Sequence, residues 1–157
     1  TNGIQALDLV TRKVPLRDGQ VVKEYLTEMS GVAAELRSID GFAQSADELD
    51  RAIESLTEAS THVGSKMASG EYSNAVAGAT PFTRMWGTVV GGAFLARAAL
   101  ASQALIEEGT DDEMLGAKQS IARFYCEQIL PTANGLLGSV LAPADPLFEL
   151  PNEALIV

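Results

Sequence analysis

Apolar residues along this chain recur at intervals of three and four, not at alternate positions, and that spacing predicts helices throughout. The first covers Ile4 to Val14, with Ile4, Leu7, Val10 and Val14 on one side and Pro15 as its stop. A linker over Leu16 to Gln20 follows, with Asp18 as its expected cap. A second helix is expected over Gly19 to Ile39. Its seam is Val22, Leu26, Met29, Ala33 and Leu36, and Lys23, Glu24, Glu28 and Glu35 face outward. Gly31 inside it implies a close helix crossing. After a turn at Asp40 to Gln44, Ser45 and Glu48 read as a capping box. The third helix then carries Leu49, Ile53, Leu56, Ser60, Val63 and Met67, and ends at Gly70.

The stretch Pro81 to Glu107 differs from these. Its apolar residues fall on every face, and before its end it carries only two charges, Arg84 and Arg97. A helix of that kind is buried or spans a membrane. The twelve residues between the two arginines fall short of the about 20 that a span needs, so a buried central helix is expected. Thr80 would cap it, Pro81 suits its first turn, and Gly109 would end it. Glu71 to Ala79, just before it, reads as either a helical turn or a loop. Thr110 and Glu113 form a second capping box. The last long helix should reach Leu141 on a stripe of Met114, Ala117, Ile121, Tyr125, Ile129, Ala133, Leu136 and Val140, kinked or broken at Pro131. The tail, Leu147 to Val157, is apolar enough to dock on the bundle or on a neighbouring subunit. The expected fold is all-α: an antiparallel bundle of four main helices around a long apolar one, with a short leading helix and a docked tail.

Composition narrows the function classes. A length of 157 fits one bundle, and 46% hydrophobic content rules out disorder. A net charge of −10 disfavours nucleic acid and anionic membranes. The single cysteine, Cys126, and single histidine, His62, allow no disulfide framework within the chain and no zinc site, and a reducing, cytoplasmic setting is expected. No Glu-x-x-His pair is present, since Ala59 stands three residues before His62. His62 reads as structural and Cys126 as a buried, inert thiol. The many carboxylates lie on outer helical faces, where nothing singles out a catalytic one. Arg84 and Arg97 are the best site candidates. They predict salt bridges to neighbouring helices, with an anion site as the sharper alternative. Gly87 and Gly91, four apart, predict a notch for a close backbone. A phosphate loop there lacks both the preceding strand and the following Lys-Ser/Thr.

Two stretches carry a resemblance. Thr1-Asn2-Gly3-Ile4-Gln5, continued by Leu7 and Arg12, resembles the Thr-x-x-Ile-Gln helix that follows Glu-Gly in acyl-CoA dehydrogenases. Ala79-Thr-Pro-Phe-Thr-Arg-Met-Trp-Gly through Arg97-Ala-Ala-Leu, and then Ala122-Arg-Phe-Tyr-Cys-Glu-Gln-Ile-Leu-Pro, resemble a C-terminal extension in the bacterial branch similar to 3-methylmercaptopropionyl-CoA dehydrogenase. The resemblance implies that residues 1–15 end a catalytic helical domain and that 16–157 are an appended helical domain. It implies an FAD-dependent α,β-dehydrogenation of an acyl-CoA thioester, with the catalytic base just upstream of Thr1. Thr1 and Asn2 would stand near the flavin-contacting turn. The implied partners are the catalytic domains of the same chain and further copies of it, associating through an apolar surface. On this reading the 157 residues alone hold no tight FAD site and no dehydrogenase activity. A stand-alone helical interaction module is the competing expectation.

Overall fold

A computed structural model describes residues 3–155. Among them there is no strand, and the chain is all-α. The short leading helix α1 (Ile4–Asp8) runs on through a widened π turn, Leu9–Lys13. The bundle follows: α2 (Gln20–Leu36), α3 (Ala43–Ala68), short α4 (Tyr72–Ala77), α5 (Ala79–Glu107) and α6 (Glu113–Phe124). A second π turn at Tyr125–Ile129 leads into short α7 (Pro131–Asn134) and α8 (Leu137–Leu141). The main helices α2, α3, α5 and α6 form the bundle, and α5 touches each of the other three. The ambiguous stretch before α5 is therefore mostly helix.

Both π turns have one cause. The Val14 N–H donates to the Leu9 carbonyl, and the Leu130 N–H donates to the Tyr125 carbonyl, each across five residues at 2.9 Å. A proline follows immediately in each case, Pro15 or Pro131. Its ring would collide with the carbonyl four residues back, and the wider turn relieves that collision. The expected disturbance at Pro131 is thus a widening just upstream of it, followed by two short helices.

The helix starts depart from the predicted caps. Ser45 does not cap α3, which begins two residues earlier because Ile39 and Phe42 are buried and anchor the turn. Instead the buried Ser45 hydroxyl donates to Glu127 Oε1 at 2.9 Å, eighty-two positions along the chain. Glu48 pairs with Arg51 at 3.0 Å. The cap of α6 is Asp112, which accepts from the Met114 N–H at 2.9 Å, not Thr110. Helix α5 begins at Ala79, so Thr80 is not its cap and Pro81 falls two residues further into its first turn than expected. Asp18 caps nothing; Arg17, Asp18 and Gly19 all have positive φ (49°, 55° and 81°), a tight left-handed corner before α2.

The core is one continuous cluster. The seams of α2 (Leu26, Met29, Ala33, Leu36) and α3 (Leu49, Ile53, Leu56, Ser60, Val63) are buried as expected. Val10 and Val14 are buried too, but Ile4 and Leu7 of the same helix are exposed. The Gly31 expectation fails: that glycine is exposed with no atom within 4 Å of where a side chain would start. The close backbone approach lies at Gly78, where a Cβ would sit 2.7 Å from the Val140 carbonyl oxygen.

Two expectations about the second half of the chain are corrected. Helix α5 is not buried all round. Phe82, Met85, Val89, Ala93, Ala96 and Ala99 face the core, while Phe94, Leu105 and Ile106 face solvent. By length and composition alone α5 could cross a membrane, a test that a core helix also passes. Of the predicted last stripe Ala133 and Val140 are buried as expected, but through α6 and the π turn after it the buried row is displaced by one residue. Leu115, Ala122, Cys126 and Leu130 are buried, and Met114, Ile121 and Ile129 are exposed. The tail touches the bundle at buried Ala144, whose N–H donates to Asn74 Oδ1 at 2.9 Å. Beyond it Leu147, Phe148 and Leu150 are exposed. The docking expected of Leu155, Ile156 and Val157 concerns side chains outside the described set.

Candidate functional site

The two arginines of α5 part ways. Arg97 forms an ion pair with Glu28 of α2, and its guanidinium lies 5.8 Å from the Phe94 ring centre, within cation–π range. This is the salt bridge expected, and it ties α5 to α2. Arg84 is exposed and pairs with no carboxylate among the described residues. The structure does not bring the two together: they stand thirteen residues apart on one helix, and Arg97 is already committed.

The glycine notch is real but shifted. Nothing approaches Gly87. A Cβ at Gly91 would lie 2.6 Å from the Tyr125 hydroxyl oxygen, and one at Gly92 would lie 3.1 Å from a Leu130 methyl. The notch therefore admits two side chains from the segment after α6, not a backbone and not a phosphate. The Tyr125 hydroxyl, once seated, donates to the Thr88 carbonyl at 3.0 Å. No local spacing in the sequence points to this contact.

Around that segment lie several titratable groups. Burial, and then the neighbouring Glu127, pushes the Cys126 thiol up to about 11. It stays protonated at neutral pH and is a poor nucleophile, which matches the inert reading. Burial also raises Tyr125 above the usual phenol value. Glu127 accepts from Ser45 and lies 3.6 Å from Arg123 Nε. The group joins α3 to the π turn. His62 is half-buried, with Nε2 lacking a hydrogen-bond partner among the described residues. No three His, Cys, Asp or Glu among the described residues gather at a metal-sized site.

The larger of two surface grooves, about 850 Å³, runs between the leading segment, α2 and α3. Val14, Val22, Leu26 and Met67 give it an apolar wall, Thr11 and Ser60 a hydroxyl rim, and Lys23 its cation. A second groove, of about 710 Å³, passes His62.

Further large apolar side chains are exposed on α5 and α6. On the outer side of the α5–α6 hairpin, Phe94, Leu105 and Ile106 of α5 and Met114, Ile121 and Phe124 of α6 are between 40 and 61% exposed. Two cross-links fix the hairpin's register: Gln119 donates to Gln103 at 2.9 Å, and Tyr125 to the Thr88 carbonyl. Phe94 is then about level with Phe124, and Leu105 with Met114. The sequence did signal part of this face, since Met114 and Ile121 were expected in an apolar stripe, but it assigned them to the core.

With no catalytic constellation in hand, comparison with known proteins becomes informative. The family described as "Acetyl-CoA dehydrogenase C-terminal like" matches residues 23–151. The chain is also 30% identical over 131 residues to 3-methylmercaptopropionyl-CoA dehydrogenase of Ruegeria pomeroyi (strain ATCC 700808 / DSM 15171 / DSS-3). The alignment covers 83% of this chain and 22% of that protein, so the chain spans about a fifth of its relative's length. The matched region holds the whole of α3 to α8, so that bundle, and not a pocket within it, is what carries the likeness. The chain belongs to the acetyl-CoA dehydrogenase C-terminal-like family.

Proposed function

We propose that this chain is the C-terminal helical domain of an FAD-dependent acyl-CoA dehydrogenase, an oxidoreductase that introduces an α,β double bond into an acyl-CoA thioester. Its part is structural: it packs on the catalytic domains and holds copies of the enzyme together. The observation that carries this reading is the match over residues 23–151, joined to a dehydrogenase by a collinear 30% identity. The chemistry of the surface supports the division of labour. A flavin dinucleotide needs cations or convergent N–H groups for its pyrophosphate and a flat slot for its ring system. The larger groove offers Lys23 as its cation and Tyr72 as its aromatic. That donor set does not fit the group, and no chemical step is assigned to these residues. Thr1 and Asn2, the positions implied to lie near the flavin, are outside the described residues.

The proposed boundary near residue 15 falls at a distinctive place. Val10 and Val14 seat the leading segment in the bundle, and the left-handed corner at Arg17 and Asp18 follows. The exposed Ile4 and Leu7 would pack on the catalytic domains. The leading segment would then be a rigid tie between the two parts. The setting is cytoplasmic on this reading, in keeping with one buried thiol.

The test is to express the complete open reading frame, record its flavin spectrum and follow bleaching on addition of acyl-CoA thioesters. Bound flavin bleached by a thioester is the expected result. A complete product that carries no flavin and leaves thioesters unchanged would favour the second reading, a helical interaction module, which the exposed hairpin face also suits.

A further inference from the structure

We propose that the outer face of the α5–α6 hairpin is the surface on which two copies of this chain meet, with their hairpins antiparallel. The inference rests on the oligomerising role proposed above and gives it a location and a geometry. On α5 the outer row is Phe94, Ala98, Ala101 and Leu105; on α6 it is Met114, Ala117, Ile121 and Phe124. Both rows step by three and four, the spacing of a coiled-coil seam. Each row lies on the side of its helix away from the core. The hairpin, packed on α2 and α3 by its inner side, thus offers a second pair of rows on its outer side.

Area, packing and charge each favour a second copy as the occupant. Large side chains of this kind bury about 150–250 Å² when fully covered, so the five in these rows offer on the order of 500 Å² at their exposures. Two such faces reach about 1,000 Å², the size at which a specific interface becomes sustainable. The α5 row runs large, small, small, large. Turned antiparallel, it sets Phe94 against Leu105 and Ala98 against Ala101, and the small centre lets the backbones close. Charge selects the same direction. The hairpin tip carries Glu107, Glu108, Asp111, Asp112 and Glu113 within seven residues. A parallel pair would crowd ten carboxylates together. The antiparallel pair separates the two tips and turns each toward the other copy's Arg84, which has no carboxylate partner among the described residues.

The test uses the 157-residue chain. Sedimentation over a concentration series is expected to show a dimer. Phe94→Glu and Ile121→Glu should each weaken it at least about thirtyfold, as loss of a central apolar contact does, with helical content unchanged because both sites are exposed. Arg84→Glu should weaken it about threefold to tenfold, and Asp111→Arg in the same chain should restore part of the loss. Mild oxidation of an Ala98→Cys/Ala101→Cys double variant should give a covalent dimer, and a Thr57→Cys control should not. A strict monomer overturns the proposal and hands the face to the catalytic domains. A dimer indifferent to Phe94→Glu and Ile121→Glu overturns it as well. A dimer lost in those variants but indifferent to Arg84→Glu upholds the face and overturns the antiparallel direction. The dehydrogenase reading is tested by flavin and thioester, and this one by mass, so each can fail without the other.

Discussion

Helices α2 and α3 form one pair, α5 and α6 another, and the two pairs meet water differently. The first pair is one-sided. Its seams are buried, and its outer faces carry Lys23, Glu24, Glu35, Asp47, Glu54 and Glu58. Its loop end is fastened by Arg37, whose guanidinium donates to Asp47 and, at 2.6 Å, to Asp50. The second pair is apolar on two sides, one filled by the core and one left open. A charged outer face marks a helix finished with its packing. An apolar outer face marks one that has a partner still to meet.

The sharpest way to break this comparison is to truncate one side chain on each kind of face. Leu49→Ala, at a fully buried position of α3, should lose about 2–5 kcal/mol in chemical denaturation. Phe94→Ala, on the open face of α5, should stay within about 0.5 kcal/mol when measured at dilution. Equal losses at the two sites would mean that the open face is part of the folding core, and the distinction would collapse.

The same contrast decides what could be read in advance. The α2 and α3 seams were legible because polar residues interrupt the pattern and leave one apolar side. Ala46, Ala52 and Ala59 are fully buried beside that seam and were missed, since alanine contributes little to an apolar stripe. In α6 the period was right and the face was wrong. Met114 and Ile121 look more apolar than Ala122 and Cys126, so size pointed to the outer row. Periodicity reports that a row exists, not what covers it. Ser45 illustrates another limit. Its local pattern with Glu48 is a good cap, but Glu127, far along the chain, captures the hydroxyl. Tyr125 in the Gly91–Gly92 notch is also a tertiary contact with no local signature. The family was legible from short collinear motifs.

Glycine substitutions probe the junction between the two pairs at a smaller scale. Gly78→Ala places a methyl 2.7 Å from the Val140 carbonyl oxygen and 2.8 Å from its Cα. Backbone atoms cannot swing aside, so a loss of about 1–3 kcal/mol is expected. Gly87→Ala, on the open side of α5 with nothing nearby, should gain about 0.5–1 kcal/mol from helix propensity. A thermal melt of each variant reads both signs. A neutral Gly78→Ala would show that α8 can retreat from the start of α5.

Arg97 and Glu28 are the charged tie between the pairs. Their side chains are 38% and 55% exposed, so water screens the attraction. A double-mutant cycle with Arg97→Met and Glu28→Gln should give a coupling of about 0.2–1 kcal/mol that shrinks as salt is added. A larger, salt-independent coupling would mean that the pair is shielded in solution, as it would be beside a covering partner.

The smallest effect is expected where the chain passes from the one-sided pair to the two-sided one. Glu71 accepts from Lys66 at 2.8 Å, Ser69 at 2.9 Å and Asn74 at 3.1 Å. Those hydrogen bonds, Lys66 first, hold its carboxyl at about 2, below the ordinary 4.5. The folded form therefore binds fewer protons than the unfolded form between these values. Its contribution is complete above pH 4.5 and fades as pH falls toward 2. Glu71→Gln should lower stability above pH 5 and flatten that part of the acid limb, with variant and parent converging as pH falls toward 2. Because the carboxylate is exposed, the change should be slight. An acid limb identical in parent and variant would mean that the three donors do not hold this carboxylate in solution. The passage from α3 to α4 would then rest on its backbone hydrogen bonds, buried Ala75 and the Asn74–Ala144 bond.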